Sequence, residues 1–506
     1  MRVWLHAAVR LLLCSVLVGS TPFGAAAADM SSVAALAKPT PGGLAWTASE
    51  ISELQRTVRS VLSGSALRGA EIGFLAIDTV RGTPLYAQNA NREFVPASNF
   101  KLLVGSTALR NLGVAFAYVT TVNARNTPVN GTLTGNLYLR GGGDALLSTK
   151  NLDDAAASLA TAGIKRVDGA VVADASYFDD QRWGYGWSWD DLPYYYAPVV
   201  SALELQDGIV HVFMTPGATQ GFPVDLRVEP ASGAYAIDNR LVTGPPGSKD
   251  TSEIVRPWNE PRTIELTGSY PIGAKTSEDL APSVPDPQSC AGDVFLRALQ
   301  AHGITVMDGS RDGVTPAGAE VLWLHNSEPM PQLLADFWYP SDNLMGELLL
   351  KQLGVLEGGQ PGTDANGILL EQQYLRSIGV DPSSVTISDG SGLSEYDRIT
   401  PSDLVAILQS DWNAPYRDAV LNALPVSGVR GTLRHEYVGT PAERVLFAKT
   451  GSVNHVRTIS GFIQTSSHGP ITFSLLINQW MDGSEPGGIA ALAKLRAALF
   501  TELAAQ

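Results

Sequence analysis

Three short fragments constrain this chain more than any other feature: Ser98-Asn99-Phe100-Lys101, Ser341-Asp342-Asn343 and Lys449-Thr450-Gly451, in that order. Together they match a pattern in which a serine, a lysine and a strand-end Lys-Thr-Gly are expected to share one cleft. The fold must therefore bring positions 98, 341 and 449 into one cleft. The fragments differ in weight. Ser-x-Asn is weak, because Ser452-Val453-Asn454 fits it too. Ser-x-x-Lys is stronger: of nine lysines, only Lys101 has a serine three positions before it. Lys-Thr-Gly occurs once.

The text around the fragments suggests how they meet. Thr47 caps a helix expected from about Ser49 to Leu62, with Glu50 completing a capping box. Glu71 to Thr79 alternates as a strand, and Leu85 to Gln88 returns from the turn at Arg81–Pro84. A helix is expected from Ser98 to about Leu109. Late in the chain, Arg444–Lys449, Thr458–Thr465 and Ile471–Gln479 read as strands, and Ile489–Leu503 as an amphipathic packing helix. One sheet built from both chain ends follows, with the Ser98 helix between it and a helical portion over 330–425. Residues 120–322 are strand-like and rich in turn residues, too long for a loop. They are expected to form inserted domains.

The composition bounds the function. A chain of 506 residues that is 44% hydrophobic supports a large core and more than one domain. Arg2 and Arg10, the apolar run Leu11–Val18 and Ala25–Ala28 read as an export signal. The apolar run is too short to span a bilayer. Residues 30–45 look like a tether. Cleavage would remove Cys14 and leave Cys290 as a lone buried thiol. The net charge of −15 and the lack of a basic run make nucleic acid and anionic membranes poor partners. The seven histidines show no metal-ligand spacing, so neither metal nor cofactor is expected. Gly141-Gly142-Gly143-Asp144 reads as a tight turn. Ser391 lacks the Gly-x-Ser-x-Gly setting of a triad nucleophile.

The chemistry follows from spacing. Ser98 and Lys101 share a helix face. A serine hydroxyl needs a base, and a lysine serves if burial or nearby positive charge lowers its pKa. Lys449 is the expected source of that charge. Ser341 and Asn343, alternate residues of an extended piece, should enter the cleft together while Asp342 points elsewhere. Ser341 is assigned to proton relay towards the leaving amine, and Asn343 to the substrate amide and to orienting Lys101. Lys449, Thr450 and Ser452 would hold a terminal carboxylate on a strand edge, with Gly451 admitting an extended peptide. The N–H groups of Ser98 and Ser452 would form the oxyanion hole.

Beyond these fragments, the chain resembles the class C, type-4 low-molecular-mass penicillin-binding proteins. The resemblance is carried by Leu137–Asp144, Phe178-Asp179-Asp180, Trp187–Leu192, Tyr194–Pro198, Asp389–Ser394, Leu424–Val429 and Gly431-Thr432-Leu433. It implies an α/β (α+β) fold, with a penicillin-binding-protein/β-lactamase-like transpeptidase domain and two mainly β inserted domains. The divisions would be signal 1–28, peptidase domain 29–119 and 323–506, and insertions 120–205 with 294–322 and 206–293. It implies a D-alanyl-D-alanine carboxypeptidase and endopeptidase acting through an acyl-enzyme on Ser98, with Lys101 as base and roles for Ser341, Asn343 and Lys449. Its partners would be peptidoglycan stem peptides and covalent β-lactams, met in the periplasm or cell envelope. The rival functions are a β-lactamase and a catalytically silent wall-binding protein.

Trp187, Asp190 and Tyr195 match family positions that line the pocket for the stem's side chain. Family members often carry arginine after Asp-Gly-Ser-Gly-Leu-Ser, but here Glu395 follows Ser394. That change implies a cationic or uncharged substrate end, such as amidated diaminopimelate or lysine. Arg398 is the alternative cation.

Overall fold

The computed structural model describes residues 39–481 and 486–506. The expected signal, Cys14 and the tether up to residue 38 lie outside the described residues.

The central sheet has five antiparallel strands. Their order is Leu446–Val453, Val456–Gln464, Pro470–Asn478, Glu71–Asp78 and Pro84–Gln88. Both chain ends thus meet in one sheet. Every residue of Pro470–Asn478 is buried, as a strand covered on both faces requires. On one face, Leu54 and Val58 of helix Ala48–Leu62 pack with Leu499, Phe500 and Leu503 of helix Pro486–Ala505. Thr47 and Glu50 form the expected capping box, typically worth about 1 kcal/mol. On the other face, Phe447, Phe462 and Leu476 meet a helical cluster. Its helices are Lys101–Leu112, Met330–Trp338, Leu344–Gly358, Asp364–Ser377, Pro401–Asn413 and Arg417–Ala423.

The inserted stretch has its own core. A five-stranded sheet runs in the order Ser310–Asp312, Val171–Asp174, Leu137–Arg140, Val119–Ala124, Glu320–Asn326. Two helices that the strand-like text did not announce, Thr149–Thr161 and Pro287–Ala301, join it. Two three-stranded sheets and a two-stranded one follow within residues 211–280. The expected divisions at 119/120, 293/294 and 322/323 fall inside Val119–Ala124, Pro287–Ala301 and Glu320–Asn326. Each of these elements is kept whole by its pairing or packing within the insertion. Cys290 is buried on Pro287–Ala301, and burial pushes its thiol up to about 12. That is an inert thiol. No helix among the described residues is long and apolar enough to cross a membrane.

Candidate active site

Ser98 lies in the single 3-10 turn Ala97–Phe100 that runs into helix Lys101–Leu112. Ala97 before it has a φ of 47°, a left-handed conformation that costs a non-glycine residue energy. Lys101 is fully buried. Its Nζ donates to Ser98 Oγ at 3.0 Å, to Asn343 Oδ1 at 2.5 Å and to the Ser391 carbonyl at 2.6 Å. Three acceptors fix the amine on the serine hydroxyl. Trp338 Nε1 donates to the Lys101 carbonyl at 3.2 Å, anchoring the helix from below.

Ser341 and Asn343 do reach this point, but by a different route from the one expected. Ser341 has a φ of 68°, and Asn343 has φ −89° and ψ −36° at the start of Leu344–Gly358. The segment is a turn, not an extended piece. The Asp342 amide donates to the Phe337 carbonyl at 2.9 Å, and its carboxylate accepts from the Met345 amide at 2.7 Å. Asn343 Nδ2 donates to the Tyr196 carbonyl at 2.6 Å, which orients Oδ1 towards Lys101.

Lys449 closes the cluster from the edge strand Leu446–Val453. It is fully buried and donates to Ser341 Oγ and to the Thr450 carbonyl, each at 2.8 Å. Its own carbonyl accepts from Asn99 Nδ2 at 3.1 Å. Thr450 Oγ1 is 2.7 Å from Thr432 Oγ1. Ser452 is exposed at the strand's end. Gly451 serves a purpose that spacing did not suggest. A β-carbon there would lie 2.9 Å from the Ser98 amide nitrogen, 2.9 Å from the Pro96 oxygen and 2.2 Å from Thr458 Oγ1. The space that glycine leaves is taken by the segment before the serine.

Burial pushes the Lys101 amine down to about 8, against the opposing pull of Asp389, Asp342, Glu347 and Asp397. Burial pushes Lys449 down as well, and the charge of Lys101 adds to that. Desolvation is therefore what lowers Lys101, and the charge expected from Lys449 is not among the causes.

The family model described as D-Ala-D-Ala carboxypeptidase 3 (S13) matches residues 54–499. This chain belongs to that family. It is 35% identical over 442 residues to the D-alanyl-D-alanine carboxypeptidase of Actinomadura sp. strain R39, covering 85% of this chain and 81% of that one. It is 24% identical over 417 residues to D-alanyl-D-alanine carboxypeptidase DacB of Haemophilus influenzae, covering 82% of this chain and 87% of the relative. The crystal structure of penicillin binding protein 4 from Haemophilus influenzae shares the fold. Its TM-score is 0.79 at 23% identity, over 90% of this chain and 99% of that one. The chain is a type-4 low-molecular-mass penicillin-binding protein and a serine-type D-Ala-D-Ala carboxypeptidase.

In this S13 protein the loop after Asp389 supports the lysine. Asp389 is buried and accepts from the amides of Ser391, Gly392 and Ser394 at 3.0, 2.6 and 2.9 Å. It also accepts from Ser391 Oγ and Trp187 Nε1, each at 2.8 Å. Five donors hold the turn that aims the Ser391 carbonyl at Lys101. Ser391, unpromising as a triad serine, matters through its backbone. Trp187 is thus tied to the turn whose Ser391 carbonyl accepts from Lys101. Tyr195 lies edge-on to Tyr196 at 5.4 Å, and Asp190 sits on the exposed turn between Trp187 and Tyr195. Glu395 is exposed, while Arg398 Nη1 donates to the carbonyls of Glu395 and Asp397 at 2.6 and 2.7 Å. Ser391, Thr432, Thr458 and Tyr196 escaped notice as site residues because three of them act through backbone or support. Fragments of the family resemblance cover Ser391, Thr432 and Tyr196, whereas Thr458 was marked only as the start of an expected strand.

The insertion also touches the site. The Asp207 carboxyl hydrogen-bonds that of Asp342, and burial, Asp342 and Glu204 all push it well up. An upward push favours the neutral Asp207 carboxyl, which can donate to the Asp342 carboxylate. The middle residue of Ser341-Asp342-Asn343 is therefore held by a residue of the insertion.

Proposed function

We propose that Ser98 is the acylated nucleophile of this carboxypeptidase and Lys101 its base. One observation carries this: Lys101 Nζ, excluded from solvent, is 3.0 Å from Ser98 Oγ and pushed down to about 8. The neutral amine takes the hydroxyl proton as Oγ attacks the carbonyl of the penultimate D-Ala. The N–H groups of Ser98 and Ser452 hold the oxyanion. The tetrahedral intermediate expels the terminal D-Ala amine, which takes the proton accepted by Lys101, passed on through Ser341 Oγ. Water then attacks the Ser98 ester, releasing the shortened stem and returning the proton to Oγ. Asn343 orients Lys101 and bonds the substrate amide. Lys449, Thr450 and Ser452 hold the terminal carboxylate, beside the open edge of Leu446–Val453.

Peptidoglycan stem peptides are the substrate, and cross-links between stems are cut by the same steps when the leaving amine is a neighbouring stem's. A β-lactam acylates Ser98 in place of the stem; the Haemophilus protein has been solved complexed with one. Export to the cell envelope fits this substrate. Fluorescent penicillin should label the protein stably and should not label Ser98→Ala. Rapid release of the label would favour a β-lactamase, and an unlabelled parent would favour a silent binder.

The finer specificity rests on the 183–196 loop. Trp187, Asp190 and Tyr195 line the pocket for the stem's third residue. Glu395 is exposed and precedes Tyr396, whose ring lies 5.7 Å from that of Tyr185 in this loop, and Arg398 Nη1 is taken up by backbone carbonyls. An uncharged or cationic end is therefore preferred. Hydrolysis of amidated stems should exceed that of free-acid stems by at least a few-fold in kcat/KM; a preference for the free acid overturns this.

A further inference from the structure

A depression of about 690 Å³ beside Arg110, Gln409 and Tyr416 contains none of the catalytic residues and has no distinctive chemistry. A smaller cavity does. It measures about 180 Å³ and lies between the segment 182–192, the turn 256–262 and Pro285-Asp286. Arg182, Trp183, Trp189, Arg256, Trp258 and Arg262 line it. At about 30 Å³ per water it has room for roughly six waters. An end group fits, and a polymer does not.

Its charge is opposite to that of the chain. Three guanidiniums meet one carboxylate, Asp286, which Arg262 already holds at 2.6 Å. Arg182 Nη2 donates to the Pro285 carbonyl at 2.5 Å. Arg256 Nη2 donates to Ser283 O at 2.9 Å and to Ser283 Oγ at 2.6 Å. Among the described residues neither Arg182 nor Arg256 is ion-paired to a carboxylate. Arg256 Nε and Trp183 Nε1 are buried and donate to nothing. Burial, and then the charge of Arg182, push Arg256 down to about 10. A largely buried guanidinium such as Arg256, without a carboxylate partner and beside a second cation, is costly, and a carboxylate fits a guanidinium fork. Trp189 and Trp258 are 58% and 82% exposed, leaving indole surface for an apolar framework.

We propose that this cavity is a second subsite, taking a free carboxylate of the wall peptide remote from the bond being cut. The proposal rests on the wall peptide being the substrate. The carboxylate belongs either to the stem being cut or to a neighbouring stem. The cavity shares the 182–192 segment with Trp187 and Asp190, so its occupant would sit next to the loop that meets the third stem residue.

The test begins with protein acylated by penicillin, so that only sites other than Ser98 are free. Calorimetric titration with L-alanyl-D-glutamate should show saturable binding at least tenfold tighter than with its neutral α-amide. Arg256→Gln should abolish that preference. Trp258→Ala, at an exposed position, should weaken binding about fivefold and leave penicillin labelling unchanged. If penicillin does not acylate the parent, the catalytic assignment fails by itself, and the same titration of unlabelled protein still tests the cavity. Equal binding of acid and amide, no saturable binding, or parental affinity in both variants overturns the proposal. The source of the carboxylate is read from kcat/KM of Trp258→Ala. A loss on both single stems and cross-linked dimers assigns it to the same stem, and a loss on dimers alone to the neighbour. No loss on either overturns a role in substrate binding.

Discussion

Lys101→Met should slow acylation of Ser98 by β-lactams and by D-Ala-D-Ala peptides roughly 10²–10⁴-fold, the usual contribution of a positioned general base. The side chain is fully buried and nearly the same length in both residues, so the fold should survive. The parent's pH profile should show the same group. Only the neutral amine is a base, and its folded pKa is depressed from 10.5 to about 8. The acylation rate constant should therefore rise about tenfold per pH unit below that value and level off above it. Stopped-flow acylation from pH 6 to pH 9.5 checks both. A flat profile, or a Lys101→Met variant that acylates at the parental rate, would remove Lys101 as the base.

Gly451→Ala should be nearly as damaging, although it adds one methyl group on a strand outside the serine's own helix. The new carbon would crowd the Ser98 amide nitrogen, the Pro96 oxygen and Thr458 Oγ1. Thr458 Oγ1 donates to the Pro96 carbonyl at 2.7 Å, so the three atoms form one packed unit and cannot all retreat. The Ser98 N–H is one of two proposed oxyanion donors, and displacing such a donor costs about 10²–10³ in kcat. Ground-state binding should change much less, giving a fall in kcat with KM within a few-fold. Steady-state kinetics on a D-Ala-D-Ala tripeptide resolves the two. A variant with parental kcat would show that the edge strand does not set the serine's amide.

The sheet was legible because alternation and end-placed strands are local signals. Glu71–Asp78 and the three late strands differ from expectation by a few residues at their ends. The meeting of Ser98, Lys101, Ser341, Asn343 and Lys449 in one cluster was legible because each bears its chemistry in its own side chain. Their support was not. The Ser391 and Tyr196 carbonyls act through backbone atoms, which every residue possesses, so no residue type announces them. Ser341 was placed on an extended piece because period-two spacing looks the same in a turn when only two residues are compared. The helices Thr149–Thr161 and Pro287–Ala301 were lost in a stretch whose turn residues dominate. Glycine at 451 suggested room for a ligand, and the room proved to be for the chain itself.

The sheet's pairing also orders events during synthesis. Glu71–Asp78, an inner strand, can pair early only with Pro84–Gln88. Its other neighbour is Pro470–Asn478, near the end of the chain. Lys449 likewise arrives long after Ser98. Contacts this distant in sequence form slowly and leave apolar strands uncovered meanwhile. The nascent protein therefore carries Ser98 and Lys101 before the edge strand that would supply the second proposed oxyanion donor exists. A product that ends before Leu446–Val453 therefore lacks Lys449 and should show no peptidase activity.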